Sequence, residues 1–144
     1  MTSDNIRRRV FRRMLAREAG TGADAPAIAA AARRLAERFA QQLNPLIGDA
    51  GVAAICARSL HLAQQNVPGV AAVRASDHSD GPFVRLQRSL EQQEPAAATE
   101  AAVAMLAAIG ELLASFIGES LTTRLLHEAW PDDFAGDTIE ETIT

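Results

Sequence analysis

Residues 95–130, PAAATEAAVAMLAAIGELLASFIGESLTTRLLHEAW, constrain the fold more than any other stretch of the chain. From Val103 onward the large apolar residues are Val103, Met105, Leu106, Ile109, Leu112, Leu113, Phe116 and Ile117. Their spacing of threes and fours reads as helix, and most of them share one broad arc centred between Ile109 and Leu113. The opposite arc holds Ala104, Ala107, Ala108, Glu111, Ser115 and Gly118, small enough for a second backbone to come close. A helix of this kind is covered on two sides, which is the role of a central element.

After Gly118 the pattern turns, and Leu121, Leu125, Leu126 and Ala129 fall largely on the arc that was small and polar before. One straight helix cannot aim both stripes at the same core. The sequence therefore predicts a kink or break at Gly118, where glycine costs a helix about 1 kcal/mol relative to alanine and readily takes a left-handed cap conformation.

The remaining segments supply helices to gather round this one. Residues 5–19 carry a stripe of Ile6, Val10 and Met14 flanked by Phe11 and Leu15, and Gly20 closes them. Asp24 caps a second helix with Pro26 in its first turn and Ile28, Leu35, Phe39, Leu43 and Leu46 inward; Asn44-Pro45 is expected to end or kink it. Residues 49–66 form a third, with Val52, Ile55, Cys56, Ser59, Leu62 and Ala63 inward and Arg58, His61 and Gln65 outward. The run ASDHSDG at 75–81 reads as a loop, and Pro82 opens a fourth helix to about residue 92 with Phe83, Leu86 and Leu90 inward. Short connections make neighbours antiparallel, as in a bundle. The expected fold is all-α: a single-domain bundle of five to six helices over residues 1–130, with an acidic tail at 131–144.

Charge is divided along the chain. Arg7, Arg8, Arg9, Arg12, Arg13 and Arg17 make the start basic, while Glu119, Glu128, Asp132, Asp133, Asp137, Glu140 and Glu141 make the end acidic. Like charges at i,i+4 on the first helix repel by about 0.2–0.5 kcal/mol per pair, so acidic groups are expected nearby. The patch Arg8, Arg9, Arg12 and Arg13 would suit nucleic-acid phosphates, but the net charge is −4 and the aromatic residue within it, Phe11, flanks the apolar stripe and is not free for stacking. Fourteen basic residues, all Arg, and the abundance of alanine point to a GC-rich bacterial genome. The first residues lack the apolar core of a secretory signal, and Glu111 interrupts the most membrane-like window, so the expectation is a cytoplasmic protein that does not insert into membranes.

Candidate chemistry is thin. His61, with Arg58 one turn before it, has the outward placement of a phosphotransfer histidine, yet Leu-Ala-Gln-Gln-Asn follows where such domains place Lys and Gly. The single cysteine, Cys56, reads as a core residue, and it shares no element with His78 or His127, so no metal or other cofactor is expected. Nucleophile elbows, phosphate loops and metalloprotease motifs are absent from the sequence. The pairs Ile47-Gly48-Asp49 and Ile117-Gly118-Glu119 echo each other, as do Arg58-Ser-Leu-His61 and Arg124-Leu-Leu-His127 at a gap four residues shorter. These readings lead to a non-enzymatic protein of interaction or regulation, acting as a homodimer. An apolar ligand pocket lined by Met105, Ile109, Leu113 and Phe116 is the alternative, and nucleic-acid binding through the first helix the third.

Overall fold

The computed structural model describes residues 3–66, 81–131 and 133. Those residues form five helices in the order α1 (Ser3–Ala19), α2 (Ala25–Asn66), α3 (Gly81–Glu91), α4 (Pro95–Ile117) and α5 (Glu119–Ala129), with no strand among them. Most of the expected loop at 75–81 and most of the acidic tail lie outside the described residues.

Helix α4 is the central element. Every residue from 101 to 110 is buried, so both its large apolar arc and its alanine arc are covered. Residues of all five helices join one core cluster around it: Val10, Phe11 and Met14 from α1, Leu35 and Phe39 from α2, Leu86 and Leu90 from α3, and Leu125 and Leu126 from α5. Burial of such side chains is worth about 1.5–3 kcal/mol each, which is why a sequence with few aromatic residues still closes a core. Among the described residues α4 alone is long and apolar enough to cross a membrane, and 61% of that window is buried against its neighbours. At the edge of the core Trp130 stacks edge-on against Phe11 and Phe39, with ring centroids 6.1 and 5.7 Å away. That contact ties the end of α5 to α1 and α2.

The chain breaks at Gly118, which has φ 95° and ψ 156° and separates α4 from α5. Helix α2 contains a second such position at Gly48, just before the residue at which a third helix was expected to begin and three residues after the Pro45 expected to end or kink the second. The helix runs through Pro45 and turns at Gly48, with φ 76° and ψ 169°. Proline forfeits one hydrogen bond and crowds the preceding turn, a cost a helix can bear near its end, whereas only glycine reaches this positive-φ, extended-ψ region without strain. At both glycines the space beside the backbone is open, so the torsion and not crowding selects glycine.

The two breaks occupy similar places. Residues 25–47 of α2 are as long as α4, and Gly48 follows them as Gly118 follows α4. Aligned on the two glycines, Leu43, Val52, Cys56, Ser59 and Leu60 are buried, and so are Leu113, Thr122, Leu126, Ala129 and Trp130, whereas Arg34 and Arg38 are exposed where Ala104 and Ala108 are buried. In this register Arg58 is equivalent to Glu128, so the Arg-x-x-His part of the sequence echo does not superpose.

Side-chain contacts fix the helix directions. Glu18 pairs with Arg34 and Phe11 stacks near Phe39, so α1 runs antiparallel to residues 25–47. Arg12 pairs with Glu100, and Arg7 lies beside Gly110 and Glu119, so α1 is also antiparallel to α4. The two long segments therefore run in the same direction, and both glycine breaks lie at one end of the bundle.

Candidate functional site

Most of the ionisable groups on α1 are spent on holding the fold. The Arg7 side chain is only 5% exposed; its Nη2 donates to Glu119 Oε2 at 2.6 Å and its Nη1 to Oε1 at 3.4 Å. It crosses α4 at Gly110, where an added Cβ would lie in ordinary contact with the Arg7 Cδ at 3.4 Å. The Arg17 guanidinium bonds the buried Asp133 carboxylate at 2.6 Å, and Arg13 donates to the Asp133 carbonyl at 3.2 Å. The first part of the acidic segment thus docks on α1, and the basic start and acidic end meet within one chain. The predicted patch divides accordingly: Arg12 pairs with Glu100, Arg13 binds Asp133, and Arg8 and Arg9, half-buried and exposed respectively, also have interaction partners. Of the acidic residues in the last part of the chain, Glu119 and Asp133 thus pair with α1.

The residues expected to line an apolar pocket fall in different surroundings. Met105, Ile109 and Leu113 are fully buried in the core cluster, whereas Phe116 is 74% exposed. Phe116 stands two turns after Ile109 on the same helical face, so periodicity assigns both inward. The difference is that α4 outruns its coverage: Glu111, Ser115 and Phe116, all beyond the level at which Arg7 crosses, are exposed. A groove of about 290 Å³ does exist at the other end, between Leu15, Ala19, Ala23, Ile28, Pro95 and Thr99, with Arg12 at its edge.

Arg58 and His61 stand on the exposed outer side of the second part of α2, as expected, and His61 has an interaction partner there. Cys56 is buried, and desolvation pushes its thiol up to about 11, which keeps it protonated and a poor nucleophile near neutral pH. Among the described residues no group of three or more His, Cys, Asp or Glu is placed to hold a metal ion.

What the structure brings together instead is a pair of apolar side chains. Among the described residues Leu46, at 50%, and Phe116, at 74%, are the exposed large hydrophobic residues. Each precedes its glycine break by two positions, and each stands two turns after a buried core residue, Phe39 or Ile109. Because the long segments run in the same direction, both project at the same end, flanked by the half-buried Ile47, Leu112, Ile117 and Leu121. Leu46 was assigned to the core by its periodicity. The signal that would have singled it out was the echo itself, carried one residue further back: Leu-Ile-Gly-Asp against Phe-Ile-Gly-Glu.

No family model, curated protein or solved structure matches the chain.

Proposed function

We propose that this chain is a non-enzymatic interaction module that works by presenting its Leu46/Phe116 end to another protein surface. The observation that carries the reading is the placement of the two exposed large apolar side chains at equivalent positions of one end. Single exposed hydrophobics are ordinary, but paired ones rimmed by polar groups mark contact sites. Covering the two would contribute about 3–5 kcal/mol before the costs of association. The titratable groups add support, since Arg7, Arg12, Arg17 and Arg34 hold helices together through Glu119, Glu100, Asp133 and Glu18.

The test is site-specific photo-crosslinking in the cells that make the protein, with benzoylphenylalanine at position 116 and, as a control, at the exposed Glu128. An adduct at 116 that is absent at 128 and lost when Leu46→Ser is added is the expected result. Equal labelling at both positions, or none, refutes the module.

A further inference from the structure

We propose that the acidic segment after Asp133 passes over the outer face of α1 and seats Ile139 in the apolar groove at the α1–α2 junction. That groove lies at the opposite end of the bundle from Leu46 and Phe116, so this inference is independent of the interaction reading.

The starting point is an anchor. Arg17 Nη2 donates to the Asp133 carboxylate at 2.6 Å and Arg13 Nη2 to the Asp133 carbonyl at 3.2 Å, which fastens the chain to α1. The same stretch of α1 walls the groove through Leu15 and Ala19, and Ala23, Ile28 and Pro95 complete the apolar lining. At 100° per residue, Arg13 and Arg17 stand on one flank of α1 and Leu15 and Ala19 on the other, about 160° away round the outside. The surface between them carries Arg9, Arg12 and Ala16, all exposed. The groove is thus directly across one helix from the point where the chain leaves Asp133.

Length then selects the residue that fills it. Half the girth of a helix with its side chains is ~16–19 Å. An extended chain advances ~3.3 Å per residue, so the crossing takes about five or six residues. The sixth residue after Asp133 is Ile139. Phe134 follows Asp133 directly and falls short, while Ile143 closes a longer loop at a greater entropic cost. Alternate side chains of an extended run share one side, so Asp137 and Glu141 face α1 together with Ile139.

Charge agrees with this register. Two residues before the groove, Asp137 lies over the arginine-bearing outer face, and Arg12 stands at the edge of the groove itself. Arg12 spends its Nε and Nη2 on Glu100, and a guanidinium carries five N–H donors, so it can accept a second carboxylate. The Arg12–Glu100 pair is open to solvent on both sides, at 47% and 59% exposure, so a further acid joins it without displacing the first. The acid–apolar–acid pattern of Asp137, Ile139 and Glu141 therefore complements an arginine beside an apolar groove, which a neutral or basic segment would not.

Nuclear Overhauser contacts between labelled methyl groups of the full chain test the placement. The expected result is cross-peaks from the Ile139 δ1 methyl to the methyls of Leu15, Ala19 and Ile28. Combining Asp137→Asn with Glu141→Gln should weaken those cross-peaks at least twofold, and both substitutions lie outside the helical core. Absence of the cross-peaks in the wild type, contacts from Ile139 to another surface, or contacts to the groove from Ile143 in its place would each overturn the proposal. Unchanged intensities in the double variant overturn the pairing with the outer-face arginines. Cross-peaks that appear only between differently labelled copies in a mixed sample assign the groove to a second copy's acidic segment and overturn the intramolecular path.

Discussion

Cys56 gives an unusually clean handle on whether the core closes as described. Its thiol is 1% exposed, and burial raises it from an ordinary 9.0 to about 11. In the unfolded chain the thiol ionises around 9; in the folded chain it stays neutral for roughly two further pH units. The folded pKa is the higher one, so the stabilisation is complete below pH 9 and is lost as pH rises toward 11. One pKa unit corresponds to about 1.4 kcal/mol, so stability should fall by about 1.4 kcal/mol at pH 10 and approach about 2.7 kcal/mol once both states are ionised. In most proteins lysine and tyrosine titrate in that window and obscure such an effect. Here all fourteen basic side chains are arginine and tyrosine is absent, so Cys56 is the only side chain that changes charge between pH 9 and 11. Urea midpoints measured at half-unit steps from pH 7 to 11 follow the loss, with Cys56→Ala as the reference. The variant starts about 1 kcal/mol lower because of the small cavity, but its profile should be flat. Parallel slopes for the two proteins above pH 9 would show that the thiol titrates normally, and the burial argument would fail.

Two further predictions address the joints of the fold. Gly118→Ala and Gly48→Ala should each lower stability by about 1–2 kcal/mol, because the strain of placing alanine in a positive-φ, extended-ψ region outweighs the unfolded-state entropy it removes. Thermal melts check this, and either variant matching or exceeding the wild type would show that the break does not need glycine. At the Arg7–Glu119 pair, Glu119→Gln should cost more, about 1–2 kcal/mol, than Arg7→Met, because the first leaves a buried cation without its counter-charge while the second replaces it with a fitting apolar chain. The figure for Glu119 is reduced because its side chain is 56% exposed. Chemical denaturation of both variants decides it, and the reverse order would mean that the ion pair itself stabilises the fold.

The sequence determined the central helix, its two-sided burial and the break at Gly118, because these depend on local spacing and on a residue with an unusual torsional range. Local rules also placed Arg58 and His61 outside and Cys56 inside. They put a helix junction at residues 47–49, where Gly48 takes the torsion, but also expected an end or kink at Pro45, through which the helix runs. Arg7 was indistinguishable from its neighbouring arginines; what buries it is its packing across α4 at Gly110, more than a hundred residues away. Leu46 and Phe116 repeat the periodicity of Phe39 and Ile109 and nevertheless meet solvent. A helix's own pattern states which face is apolar, but how far along its length that face is covered depends on where the neighbouring helices begin and end. That is a property of the assembled bundle, and it is what leaves this end of the molecule open.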